Sequence, residues 1–123
     1  MVMQHHAQDL KSPSEFLGYE LGSQFTRHHE VISYFQYVGE SLPGQVQLQP
    51  YGYTNERRPL MFAILSSPEN MQNVEALRTA HLQSTEGGGD SQVAVVWLSY
   101  NVHGNESVST EASMQTLYDL LTT

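Results

Sequence analysis

The pattern of apolar and polar positions divides the chain into a polar lead-in and a body of predicted helices and strands. Residues 1–25 are polar and are interrupted by Pro13, Gly18 and Gly22, so we expect an irregular lead-in. From Thr26, a candidate cap, to about Gly39, apolar residues recur at helical spacing and predict a helix. Five apolar or aromatic side chains are expected to fix the lead-in to the body: Phe16, Leu17, Tyr19, Leu21 and Phe25.

Two strands and a second helix are predicted next. Residues 45–53 alternate between apolar and polar, and residues 60–65 form an apolar run of strand length after a polar turn, which favours an antiparallel pair. Ser67-Pro68-Glu69 supplies an N-cap, a proline at the first helical position and an acid in the first turn. A helix to about Gln83 follows from these signals. Its predicted buried positions are Met71, Val74 and Leu77.

A third strand and a last helix complete the predicted order. Residues 93–100 form a continuous apolar run, which is typical of a strand buried on both faces, and a glycine-rich loop over residues 84–92 precedes it. The last helix is predicted from about Glu106 to Leu121. The predicted order of elements, helix, strand, strand, helix, strand, helix, indicates an α/β fold with helices on a mixed, mostly parallel sheet. The length of the chain predicts a single unit over residues 1–123.

Composition excludes several classes of function. The net charge is −8 and the five Lys and Arg residues form no stripe beyond Arg57 and Arg58, so nucleic acid is not an expected partner. The absence of cysteine leaves only His and carboxylates as metal ligands. No apolar run approaches the roughly twenty residues that span a bilayer, so no membrane partner is expected. The start lacks the apolar region of a signal peptide, and His5 and His6 are interpreted as a terminal tail.

The residues with metal chemistry follow the third predicted strand. His103 and Glu106 lie three residues apart in a segment that contains Gly104, at the place where α/β sheets present ligand-binding side chains. A neutral imidazole and a carboxylate are both good zinc donors. The same spacing also occurs by chance in many proteins as a hydrogen-bonded surface pair, and no other histidine is an obvious third ligand. If one exists, the candidates are His5, His6, His28 and His29.

Two segments resemble a known family. Residues 96–107, Val-Trp-Leu-Ser-Tyr-Asn-Val-His-Gly-Asn-Glu-Ser, followed by Ser109-Thr110-Glu111-Ala112, resemble the zinc-binding segment of zinc metallocarboxypeptidases of the carboxypeptidase A type. Residues 51–60 are similar to the turn that precedes the family's second strand, with Arg57 where glycine is usual. The similarity runs from about Ser14 to the end of the sequence, and both motifs occur in the family's order.

The resemblance implies that His103 and Glu106 are two of three zinc ligands. The third, a His, the Glu that moves protons and the groups that grip the C-terminal carboxylate of a peptide substrate are expected beyond residue 123. The chain would then be the N-terminal part of a peptidase domain with half of a zinc site, no catalytic residue of its own and weak or absent zinc binding. Substrate-binding residues stay unassigned, because Asn105 stands where digestive members of the family carry Arg. The family favours a secreted or periplasmic location.

Two other functions stay open. His-Gly-Asn-Glu is also similar to the aspartoacylase and succinylglutamate desuccinylase branch, which cleaves small N-acyl amino acids, although Arg58-Pro59-Leu60 favours the peptidase branch. A binding or assembly module that keeps the fold without catalysis is the third hypothesis. In the family fold, a strand that lies between the predicted second and third strands comes from beyond residue 123. The strand edges left open would favour a homo-oligomer.

Overall fold

The computed structural model describes residues 9–123 and contains five helices and two strands in that range. Their bounds in chain order are α1 Pro13–Leu17, α2 His28–Ser41, β1 Val46–Tyr53, β2 Pro59–Leu65, α3 Pro68–Gln72, α4 Val74–Thr85 and α5 Val108–Thr122. The predicted helix after Thr26 and the predicted last helix correspond to α2 and α5. His5 and His6 lie outside the described residues.

The lead-in is more regular than its polar sequence suggested. Ser12 and Glu15 form a capping box at the start of α1: the Ser12 N–H donates to Glu15 Oε2 at 2.8 Å, and the Glu15 N–H donates to Ser12 Oγ at 3.3 Å. Gly18, at φ 79°, ends the helix in the left-handed conformation that glycine adopts without strain. The prediction of an irregular segment up to residue 25 was therefore wrong over α1. Phe16, Leu17 and Leu21 do pack against the core, whereas Phe25 is exposed.

The core lies where α2 meets α5, β1 and α1. Its buried apolar residues are Leu10, Val31, Tyr34, Val38, Leu42, Val46, Met114 and Leu117. The Phe16 ring packs edge-on against Tyr34 with centroids 5.3 Å apart and stacks on Tyr37 at 5.1 Å. A Cβ at Gly39 would lie 3.3 Å from Leu48 Cγ, so the glycine permits the close approach of α2 to β1. The centre of the molecule is thus a helix pair with one strand against it.

The two strands pair antiparallel, as their short connection predicted. Val46 pairs with Leu65 and Gln49 with Phe62. The register shifts between Pro50 and Gly52, which leaves one extra residue in β1 and forms a bulge. Proline has no N–H to donate, so a strand that contains it suits the edge of a sheet. The outer edge of β1 is therefore a poor position for a further strand.

The predicted strand over residues 93–100 is absent from the structure, and this prediction was wrong. The segment has no regular secondary structure, and Trp97 is 78% exposed and Val96 77% exposed. A strand exists through backbone hydrogen bonds to a neighbour, and within residues 9–123 no strand lies beside this run. The observed sheet is β1 paired with β2. A mostly parallel sheet is not shown, and the architecture is that of an incomplete α/β unit.

The helix predicted after Pro68 is divided into α3 and α4 at Asn73. This residue has φ −121°, outside the helical region, and its Nδ2 donates to the Glu69 carbonyl at 3.1 Å. The three positions predicted to be buried, Met71, Val74 and Leu77, are only half-buried. Across the described part of the chain, no helix is long and apolar enough to cross a membrane.

Candidate functional site

His103 and Glu106 are brought together by a tight turn. The Glu106 N–H donates to the His103 carbonyl at 3.1 Å, which closes a four-residue turn around Gly104 and Asn105. The first and fourth residues of such a turn lie close together, and here His103 Nδ1 is 3.1 Å from Glu106 Oε1. Both side chains are exposed, with 71% and 54% of their surface open to solvent. We call these two side chains the His103–Glu106 pair.

Ser109, in the first turn of α5, holds this loop in place. Its hydroxyl accepts from the Asn101 N–H at 2.8 Å and donates to the Glu106 carbonyl at 2.9 Å. Asn101 itself has φ 56°, in the left-handed region that Asn tolerates better than most residues. One hydroxyl on a regular helix therefore fixes the loop at a residue on each side of His103.

A buried carboxylate joins the start of α5 to the start of α2. Glu111 is only 6% exposed and accepts from the Thr26 N–H at 3.2 Å and from Thr26 Oγ1 at 2.9 Å. Because the Thr26 hydroxyl donates to Glu111, its oxygen is free to accept from the Tyr19 hydroxyl at 3.0 Å. Thr26, expected as a helix cap, instead precedes the observed N-cap Arg27 and serves as this link.

A groove of about 820 Å³ opens between these helix starts and the β1–β2 turn. Its walls come from the first turns of α2 and α5, from residues 57–59 and from the loop that carries the His103–Glu106 pair, through Asn101, Gly104 and Ser107. His28 Nε2 must donate to the Pro59 carbonyl, 2.9 Å away, since a carbonyl only accepts. This bond ties α2 to the start of β2. The groove could not be predicted from the sequence, because its residues come from four separate segments.

The His103–Glu106 pair fits two positions of a zinc site. Zinc bonds of about 2.0–2.2 Å in a tetrahedron place neighbouring donor atoms roughly 3.3 Å apart, close to the observed separation of Nδ1 and Oε1. A third ligand is not in place: within residues 9–123, no group of three or more His, Cys, Asp or Glu side chains gathers around one point. His28 and His29 line the groove without completing a site with the pair.

The comparisons with known proteins decide the family. The family model described as zinc carboxypeptidase matches residues 31–123, which is most of the chain. The match includes the turn, the pair and the groove lining from Ile32 onward, but not residues 26–29 of the lining. The chain belongs to the zinc carboxypeptidase family. Searches of curated proteins and of solved structures gave no significant match.

Membership of the zinc carboxypeptidase family confirms the resemblance found in the sequence. It gives no support to the amidohydrolase of small N-acyl amino acids or to the non-catalytic module. The assignment of His103 and Glu106 as zinc ligands stays a prediction. Sequence reasoning missed two residues that position the site, Ser109 and Glu111. Both lie in the first turn of α5, where side chains often hydrogen-bond to backbone groups that have no partner within the helix. Their position in the sequence could therefore have identified them.

Proposed function

We propose that the full-length protein is a zinc-dependent metallocarboxypeptidase that hydrolyses C-terminal peptide bonds. In this proposal the present chain is its N-terminal part, and His103 and Glu106 are two of the zinc ligands. The observation that carries the proposal is the His103–Glu106 pair itself. Two good zinc donors face each other at 3.1 Å, in the segment that resembles the zinc-binding segment of the family.

The surroundings of the pair support this role. Zinc ligands work best when other groups fix their orientation, and the loop that carries the pair is held by Ser109 while α5 is tied to α2 through Glu111. The high exposure of both side chains leaves room for further ligands and a substrate. When bound, zinc would polarise the peptide carbonyl and make water acidic enough to attack near neutral pH. The role of His103 and Glu106 is to hold the ion, and a third ligand and a proton-transferring group must come from elsewhere in the full-length protein.

Release of C-terminal amino acids from peptides by the purified full-length protein tests the proposal. His103→Ala and Glu106→Ala should each lower zinc content and activity. Mutation of a residue that hydrogen-bonds to a metal ligand typically lowers metal affinity or activity about 10–100-fold. Removal of a ligand itself should therefore lower them at least about a hundredfold. His81→Ala, on α4, is the control and should leave both unchanged. A protein that keeps full zinc and activity without His103 would disprove the assignment.

The chain by itself should bind zinc weakly, since zinc sites normally have three or four protein ligands. Calorimetric titration is expected to show micromolar affinity at best. Tight one-to-one binding that disappears in His103→Ala would instead mean that this chain holds a complete site.

A further inference from the structure

The positive charge of this acidic chain is concentrated around the groove. The net charge is −8, yet three of its five Lys and Arg residues, Arg27, Arg57 and Arg58, line this one groove together with His28 and His29. The N-terminal turns of α2 and α5 also face it and add partial positive charge from their free N–H groups. The lining of the groove is thus rich in cationic side chains although the whole chain is acidic. We call it the basic groove.

The lining that the described residues give the basic groove contains no acidic side chain, and the carboxylates near it are hydrogen-bonded or ion-paired elsewhere. Glu30 accepts from the Arg27 N–H at 3.0 Å, and Glu111 is buried against Thr26. Glu56 forms an ion pair with Arg58 at 2.7 Å, but both side chains are exposed. Exposed ion pairs contribute only about 0–1 kcal/mol, so a ligand carboxylate can compete for the Arg58 guanidinium. Glu106 stands outside the groove lining, beside His103.

The backbone holds the two arginines of the turn in place at an energetic cost. Arg57 has φ 61°, a left-handed conformation that costs a residue with a Cβ about 1–2 kcal/mol and that glycine would adopt freely. Three bonds to Thr54 impose it: Arg57 N–H to the Thr54 carbonyl at 2.8 Å, Thr54 N–H to the Arg58 carbonyl at 2.9 Å, and Arg58 N–H to Thr54 Oγ1 at 3.1 Å. Strain of this kind is concentrated at functional sites. In the described residues, the two non-glycine residues with positive φ are Arg57 and Asn101, and both line the basic groove.

We infer that the basic groove binds the acidic side chains of a peptide substrate next to the His103–Glu106 pair, an inference that rests on the proposed peptidase function. Guanidinium groups match carboxylates in geometry and charge. Ile32 and Pro59 in the lining give the aliphatic stems of Glu side chains an apolar surface. The groove is also far larger than one small anion requires. Nucleic acid does not fit, because the three arginines form one local cluster and the chain has no extended stripe of cations along which a phosphate backbone could lie.

The test measures binding to the chain in the presence of a metal chelator, so it does not depend on zinc or activity. The probe is a short fluorescein-labelled peptide that contains several glutamates, and its matched partner has glutamine in their place. Fluorescence anisotropy should show that the chain binds the glutamate peptide at least about tenfold more tightly, which corresponds to 1.4 kcal/mol, and that added salt weakens this binding.

Two double variants with the same change in net charge locate the site. Arg57→Gln with Arg58→Gln should weaken binding of the glutamate peptide about tenfold, to the level of the glutamine peptide. Lys11→Gln with Arg78→Gln removes two cations outside the groove and should leave binding unchanged, with circular dichroism showing that both variants are folded. Equal losses in the two variants, or equal binding of the two peptides, would overturn the inference.

Competition and cleavage complete the test. Inorganic phosphate that displaces the probe as well as the unlabelled glutamate peptide does would show a general anion site and overturn the peptide assignment. If the chain binds the glutamate peptide but the full-length protein cleaves no peptide, the proposed function fails and the binding site stands. If the full-length protein cleaves glutamate and glutamine peptides equally, the peptidase function stands and the inferred preference is wrong.

Discussion

At the scale of single residues, Glu111 shows how a side chain remote from the chemistry positions it. Its carboxylate accepts two hydrogen bonds from Thr26 in a buried position, and among residues 9–123 no other side chain connects the first turn of α5 to the residue before Arg27 in this way. The groove and the loop of the His103–Glu106 pair both depend on where α5 begins. Burial of a carboxylate is costly unless it is hydrogen-bonded, so the two donors are what make its position tolerable.

Glu111→Ala should destabilise the chain because it leaves the Thr26 N–H and hydroxyl buried without their acceptor. An unsatisfied buried group costs about 1–3 kcal/mol, so we expect a loss of about 2–4 kcal/mol in the free energy of unfolding, measured by urea denaturation. Glu111→Gln keeps one acceptor oxygen and should lose less. Glu56→Ala removes an exposed carboxylate and should cost at most about 1 kcal/mol. Similar losses at Glu111 and Glu56 would contradict this account.

The buried Tyr34 makes the free energy of unfolding depend on pH in the alkaline range. Burial raises the pKa of its hydroxyl above the usual range, and the hydroxyl donates to the Lys11 carbonyl at 3.1 Å. The unfolded chain loses this proton near pH 10 while the folded chain keeps it, so the folded state binds more protons and stability falls as pH rises above about 10. Below that pH the contribution of Tyr34 is fully present.

Tyr34→Phe provides the measurement. At neutral pH the variant should be about 1 kcal/mol less stable, because it lacks the hydrogen bond to Lys11. Above pH 10 the difference from the unmodified chain should shrink by up to about 1.4 kcal/mol per pH unit, because phenylalanine has no proton to lose. The other tyrosines are common to both proteins and cancel in the difference. A gap that stays constant up to pH 12 would show that Tyr34 does not titrate differently in the two states.

At the scale of elements, sequence patterns succeeded where local chemistry decides the structure. The proline, cap and acid around Pro68 marked the start of α3, and the short polar connection between the two strands gave their antiparallel pairing. His103 and Glu106 do lie side by side, because a turn of four residues brings its ends together regardless of the rest of the fold. The strand that was expected to precede them is absent, and their role as zinc ligands stays a prediction. The break at Asn73 was not visible, since its neighbours keep the helical pattern.

The missing strand shows the limit of such patterns. An apolar run indicates that a segment prefers burial, but a segment becomes a strand only through hydrogen bonds to a neighbouring strand. Residues 93–100 have no such neighbour among the described residues. Strand β2 is also a continuous apolar run. Ala63 and Leu65 pair with core-facing positions of β1, yet Phe62 and Ile64, opposite two glutamines, are also apolar. A strand apolar on both faces is typical of the interior of a larger sheet.

At the scale of the whole molecule, these apolar surfaces predict self-association. The Pro50 bulge makes the outer edge of β1 unsuitable for pairing. The expected contact surfaces are the outer edge of β2, which pairs with no strand among residues 9–123, and the exposed run around Trp97. Light scattering over a concentration series should show species larger than a monomer. Phe62→Lys with Ile64→Lys should shift the chain to monomers, whereas Gln47→Lys with Gln49→Lys, on the opposite strand, should have a smaller effect. A monodisperse, cooperatively unfolding monomer would mean that the chain needs no further strand.

The exposure of Trp97 has a consequence for how such assembly would respond to temperature. Burial of apolar surface away from water has a large negative heat-capacity change, and the hydrophobic driving force for association weakens on cooling. Complexes joined through the segment around Trp97 would therefore dissociate in the cold and re-form on warming, unlike complexes joined by ion pairs. Trp97 is the single tryptophan of the chain, so its fluorescence would move toward that of a solvent-exposed indole as the sample is chilled.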